Sequence, residues 1–152
     1  MSYVEKVLQP GEQLRYQATI HWVTYLHGAA WLLAAFLVWV VTPTAWRDGF
    51  LLNTLLIILV AVGVFFLAYA WFNAWITEIA VTDRRVIYKR GLVSRTTAEM
   101  TMEKIETVKV DQSILGRIFG YGDVIVRGTG SGLAPIRNID APLELRNHIT
   151  GV

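Results

Sequence analysis

Two stretches of the chain carry no charged residue. Residues 22–41 run for twenty positions without Asp, Glu, Lys or Arg, and residues 50–72 run for twenty-three more. A helix rises about 1.5 Å per residue, so each run reaches about 30 Å, the hydrocarbon thickness of a bilayer. Helices in a soluble core usually keep a polar face, and neither run has one. A single charge at the centre of a span costs about 3 kcal/mol on insertion, so its absence from both runs carries information. The pattern predicts two transmembrane helices, 22–41 and 50–72. Eight connecting residues, 42–49, can join only antiparallel neighbours, which makes the pair a hairpin. A cleaved signal peptide does not fit, because the first run starts after twenty-one mixed residues and is too long.

The remainder alternates with period two. Residues 77–81 form a short β-rich run, Thr82-Asp83-Arg84 a turn, and 85–90 a second run ended by Gly91. Over 96–102, Thr96, Ala98, Met100 and Met102 face one way and Thr97, Glu99 and Thr101 the other, and β-branched residues fill 105–110. This predicts an antiparallel sheet. Residues 113–119 then read as one or two turns of helix, with Ile114, Leu115, Ile118 and Phe119 able to share a face and Gly120 closing it. Strands are expected at 123–127 and 135–140. Pro142 fits the first turn of a terminal helix, with Leu143, Leu145 and Ile149 as its apolar contacts. Ahead of the first apolar run, Leu14, Tyr16, Ala18 and Ile20 alternate with Arg15, Gln17 and Thr19. This segment is expected to add a strand to the sheet, with the hairpin inserted between it and Thr77; the alternative is a helix continuing into the membrane. The expected division is 1–21, 22–73 and 74–152. Trp75 stands just before the first predicted strand, with no linker, so the sheet is expected to lie against the membrane surface.

Composition agrees with a membrane segment. The 152 residues are 54% hydrophobic and 17% charged, against about 45–50% and about 25% in soluble domains. That length suits one domain, or a small domain with an appendage. Fourteen basic and twelve acidic residues give a net charge of +2, too balanced to support nucleic-acid binding. The absence of cysteine excludes a disulfide framework, a thiolate metal site and a Cys nucleophile. The connector offers only Arg47. The other side of the two runs offers Lys6, Arg15, Arg84, Arg85, Lys89 and Arg90, which places both termini in the cytoplasm. Trp22, Tyr25, Trp39, Trp46, Tyr69, Trp71 and Trp75 fall where the interfaces would be.

Reactive chemistry is sparse. His21, His27 and His148 have no metal-ligand spacing. His27 lies within the first apolar run but near its end, which favours a neutral, hydrogen-bonded role over transport, and Asn53 falls near the opposite interface. Gly128-Thr-Gly-Ser-Gly132 lacks the Lys and Ser/Thr of a phosphate loop and reads as a strand connection. No GxSxG elbow surrounds Ser131, and Glu103 and Glu106 read as solvated charges. No catalytic, cofactor-binding or metal-binding residue is identified, and no cofactor is expected. The candidate binding group is Arg84, Arg85, Lys89, Arg90 and Arg95, in the first hairpin. Each cation near an anionic leaflet is worth about 1 kcal/mol. The other reading is that these residues set topology and are solvated.

Several of these motifs resemble one family. Thr82 to Arg85 followed by Val86-Ile87-Tyr88, then Gly91-Leu92, then Ile105-Glu106-Thr107-Val108, and above all Gln112-Ser-Ile-Leu-Gly-Arg-Ile-Phe-Gly-Tyr-Gly-Asp123 are similar to the bacterial membrane-flanked pleckstrin-homology-like (PH-like) family. The likeness covers about 74–149, and the preceding hairpin fits the family's arrangement. It implies a curved antiparallel β barrel or sandwich capped by a C-terminal helix, with no established catalytic activity and no catalytic residues. Some members carry several modules; this chain has room for one.

The expected fold is thus a membrane-anchored α+β protein: a two-helix transmembrane hairpin plus a cytoplasmic PH-like sheet domain with a short C-terminal helix. The expected function is a non-enzymatic scaffold or binding platform for protein, peptide or lipid headgroup at the inner face of the bacterial cytoplasmic membrane. Its expected partners are the phospholipid bilayer, further copies of itself and an unidentified membrane protein. Gly28, Ala29, Ala30, Ala34 and Ala35 in the first helix, with Ala61, Gly63 and Ala68 in the second, are small residues that favour self-association. The alternative is a subunit of a membrane transport or lipid-handling complex, which would need more polar residues along the helices than Thr24, His27, Asn53 and Thr54.

Overall fold

A computed structural model describes residues 4, 7–47, 49–91, 96–130 and 132–151. Lys6, read above for orientation, Leu92, in the motif of resemblance, Arg95, a binding candidate, and Ser131, set aside as a nucleophile, lie outside the described residues. The chain divides into two compact units, one formed by 1–21 with 74–152 and the other by 22–73.

The first unit is built of two antiparallel sheets. Strands β1 (Leu14–Ala18), β2 (Thr77–Thr82), β3 (Arg85–Arg90) and β4 (Thr96–Thr101) lie in that order in one sheet. Strands β5 (Ile105–Asp111), β6 (Tyr121–Gly128) and β7 (Ile136–Asp140) form the other. Although 58 residues separate Ala18 from Thr77, β1 pairs directly with β2, Ala18 opposite Ile79 and Tyr16 opposite Val81. The alternation read at 14–20 therefore does form a strand, and Ile20 adds an isolated bridge to Ile139 of the second sheet.

Alternate residues from both sheets meet in one core. Ile79, Val81, Val86, Tyr88 and Met100 come from the first sheet, and Val124, Val126, Ile136 and Ile139 from the second. Helix α4 (Pro142–Thr150) closes the core with Leu145 and Ile149, while Leu143 points outward. Between β5 and β6 lies α3 (Ile114–Phe119). The outer face of the first sheet is partly covered as well. Val4 is buried against Ala80 and Ile87.

The second unit is a helical hairpin. A short turn of 3₁₀ helix (Trp22–Tyr25) leads into α1 (Leu26–Val41), and α2 spans Phe50–Ile76, four residues longer than the predicted 50–72. Strand β2 begins at the next residue. Both Trp22–Val41 and Phe50–Ile76 are long and apolar enough to cross a membrane, and almost none of their residues is buried. The helices touch where side chains vanish. A Cβ on Gly28 would stand 2.6 Å from Leu67 Cγ, and one on Gly63 would stand 2.7 Å from Leu32 Cδ2. Gly28, Ala35 and Gly63 are thus consumed by packing within the hairpin, which removes them from the small-residue surface read for self-association. Ala29, Ala30, Ala61 and Ala68 remain exposed.

Candidate functional site

The basic group of the first hairpin does not form one patch. Strand parity is the reason. Along β3, Arg85, Ile87 and Lys89 share a face, and Arg90 belongs to the opposite one. Arg84 sits in the turn before β3, whereas Arg90 pairs with Thr77 at the far end. Five strand positions separate Arg85 from Arg90, about 17 Å at 3.4 Å per residue.

Arg85 is committed to the fold. Its Nε donates to Glu12 Oε1 at 2.9 Å and its Nη2 to Glu12 Oε2 at 2.8 Å, a bidentate pair. Nη1 donates to Glu99 Oε2 at 2.7 Å, and Nη2 also reaches the Val7 carbonyl at 2.9 Å. The side chain of Glu12 is fully buried and that of Arg85 is 12% exposed. Glu12 further accepts from the Gln9 N–H at 2.9 Å and pairs with the Thr82 hydroxyl at 2.7 Å. The Arg85 hydrogen bond, assisted by those of Gln9 and Thr82, outweighs desolvation and lowers the Glu12 carboxyl to about 2. The same hydrogen bond to Glu12 raises Arg85 above its ordinary value. Lys89 Nζ lies 2.8 Å from Glu78 Oε1, with both side chains largely buried. Arg84 is about half exposed, its Nε 3.9 Å from Asp83 Oδ2. The group read from sequence therefore resolves into a latch (Arg85), a strand-to-strand ion pair (Lys89) and two separated surface cations (Arg84 and Arg90). Arg95 lies outside the described residues.

Other candidate chemistry also finds structural employment. His21 is buried, stacks on Tyr121 with ring centroids 5.2 Å apart, and has Nε2 4.0 Å from Asp140 Oδ1. His148 packs on Tyr16 at 4.6 Å and bonds the Glu144 carbonyl at 3.0 Å. His27 is exposed on α1. Thr129 N–H bonds the Lys104 carbonyl and Leu133 N–H the Val126 carbonyl, so Gly128 ends β6 and Thr129, Gly130 and Gly132 belong to the connection from β6 to β7. Among the described residues, no three His, Asp or Glu gather as metal ligands.

What sequence reasoning missed is the exposure of α3. Its apolar residues were expected to share a face, but that face does not turn into the core. Ile114 is 80% exposed, Leu115 58%, Ile118 70% and Phe119 51%. The buried residue of this helix is Gly116. A Cβ there would come within 2.6 Å of the Tyr121 carbonyl oxygen. Ser113 caps the helix by accepting from the Gly116 N–H at 3.0 Å, and Gly120 ends it in the left-handed region at φ 78°. Gly122 leaves no room for a Cβ either, with Gln112 Cγ at 2.7 Å and the Asp111 carbonyl at 2.9 Å. Gln112 Nε2 ties the loop together by donating to the Tyr121 carbonyl at 3.1 Å. Asp123 Oδ1 accepts from the Asn138 N–H at 2.8 Å. The segment from Gln112 to Asp123 is thus a hydrogen-bonded mount on which four apolar side chains stay half or more exposed.

Two antiparallel sheets around a common core, with a helix at the C-terminus, make this unit an α+β domain of the PH-like class. The chain belongs to the bacterial PH domain family, whose sequence model matches residues 18–151. That match begins at Ala18, the last residue of β1, so it takes in the hairpin as well as the region of resemblance. Neither the comparison with curated proteins nor that with solved structures finds a match.

Proposed function

We propose that this protein is a non-enzymatic PH-like binding module anchored in the bacterial cytoplasmic membrane by its helical hairpin, with both termini in the cytoplasm. One observation carries the reading. The hairpin exposes Leu33, Phe36, Val41, Phe50, Leu51, Ile57 and Phe65 among many other large apolar residues, and a soluble core helix would bury such side chains. Lipid is the solvent that removes the cost of that exposure. The orientation rests on the excess of Arg and Lys outside the connector. Arg47, the connector's cation, lies over the Trp39 ring at 4.5 Å, an arrangement suited to an aqueous interface.

The binding role is that of a platform, since the family fold supplies a sheet domain and the described residues offer no convergent reactive groups. The transport alternative is weakly supported. Thr54 donates to the Phe50 carbonyl at 2.8 Å within its own helix, and His27 and Asn53 lie toward opposite ends of the hairpin.

Reporter fusions and extraction test the proposal together. A fusion after Val152 should be active only as a cytoplasmic reporter, one placed in the connector only outside, and the chain should resist alkaline carbonate. Release by carbonate, or an externally active C-terminal fusion, would overturn the membrane reading or its orientation respectively.

A further inference from the structure

We propose that α3 is a second membrane contact, an interfacial anchor whose Ile114, Leu115, Ile118 and Phe119 enter the headgroup boundary of the bilayer that holds the hairpin. This rests on the membrane reading above and goes beyond it.

The placement of α3 within the sheet unit supports this assignment. The last residue of that unit before the first apolar helix is His21, and it stacks on Tyr121, two positions past the end of α3. The same corner is tied by backbone bonds. The His21 N–H donates to the Asn138 carbonyl at 2.8 Å, Asp140 N–H to Thr19 at 3.0 Å and Ala141 N–H to Gly120 at 3.0 Å. The loop that ends α3 is therefore fastened to the segment that continues into Trp22. The returning chain arrives at the same end of the first sheet, because Ala18 opposes Ile79, two residues after β2 begins. No linker intervenes on the returning side, and only three residues separate Ala18 from the turn at Trp22. The chain leaves for 22–41 and returns from 50–76 at this corner, so by connectivity alone the bilayer of the membrane reading is the apolar phase we assign to α3. Arg84, by contrast, sits beyond the other end of β2.

The chemistry of the patch fits an interface. α3 meets its own domain through Gly116 and turns its large apolar groups outward, the reverse of a helix packed for stability. Arg117, exposed on the same short helix, can lay its stem along apolar surface with the guanidinium at the phosphates. A second copy of the chain or another protein is a poorer occupant. Stable protein interfaces bury about 800 Å² per partner, more than four partly exposed side chains on a six-residue helix can supply. A bilayer asks for no complementary shape.

The chain has no cysteine, so single labels are clean. Full-length Leu115→Cys, Ile118→Cys, Val64→Cys and Glu103→Cys variants would carry a nitroxide in vesicles of phosphatidylethanolamine and phosphatidylglycerol. All four positions are solvent-exposed in the structure, so the labels need not disturb packing. Collision with oxygen and with a water-soluble nickel chelate reads depth. Labels at Leu115→Cys and Ile118→Cys should favour oxygen and report a depth of about 5–10 Å below the headgroups. Val64→Cys should report the bilayer centre and Glu103→Cys should report water. If the labels at 115 and 118 are as open to the chelate as that at 103 while Val64→Cys stays in lipid, α3 does not dock and the hairpin reading survives. If 115 and 118 are shielded from both colliders, a protein covers α3 and the inference is overturned. A chelate-accessible Val64→Cys would remove the membrane reading itself.

Discussion

At the scale of single residues, the Glu12–Arg85 pair shows how a basic residue chosen as a binding candidate becomes part of the framework. A guanidinium with Nε, Nη1 and Nη2 all engaged, and only 12% exposed, has little left to offer a phosphate. Glu12→Gln should lower stability by about 3 kcal/mol, because it strips a buried cation of its bidentate partner; Glu99 keeps the figure from rising further. The pH response follows from the same pair. Glu12 titrates at about 2 when folded, against an ordinary 4.5. The unfolded chain therefore binds more protons between those values. The stabilisation is whole above about pH 5 and is lost as the pH falls toward 2. Thermal unfolding in detergent at about pH 6 and about pH 3 should show a larger drop for the native chain than for Glu12→Gln. Equal drops would remove Glu12 from the acid response.

At the scale of elements, the spacing of glycines explains why the α3 mount is built as it is. Gly116 and Gly122 are needed for space and Gly120 for its left-handed backbone. Gly116→Ala should cost about 1–3 kcal/mol through the clash with the rigid Tyr121 carbonyl. Gly130→Ala, where a Cβ would meet nothing within 4 Å, should cost only about 1 kcal/mol for its positive φ. Chemical denaturation of the two variants in one detergent would rank them; a costlier Gly130→Ala would contradict the steric account. The elements themselves were largely legible in sequence. Alternation marked β1 and β4, Asp83 and Gly91 bounded β3, and Pro142 marked the start of α4. The candidate site was not legible, for two physical reasons. Charges close in sequence on a strand point to opposite faces, and their partners, Glu12 and Val7 for Arg85, come from more than seventy residues away. Apolar residues spaced as in α3 signal a shared face, but the spacing is the same whether that face meets a core or another phase.

For the whole molecule, the main question is why a sheet domain tolerates fifty-two residues inserted between neighbouring strands. Were 22–73 a flexible loop, closing it would cost chain entropy that grows as (3/2)RT ln n. Two antiparallel helices joined by a short connector instead bring the chain back to the side from which it left. Whether or not the hairpin forms first, β1 and β2 end paired, with Ala18 opposite Ile79. The sheet unit has its own closed core, drawn from 1–21 and 74–152 and containing none of the hairpin residues. Replacing 22–73 by a short Gly/Ser linker should therefore leave a cooperative, β-rich domain. It should require no detergent to stay folded and should keep the protected amides of β1 in hydrogen exchange. Persistent aggregation, or rapid exchange throughout β1 while β6 stays protected, would show that the strand pairs only when the hairpin holds it there. The outcome would decide whether the hairpin is only an insertion in this domain or also a step in its folding.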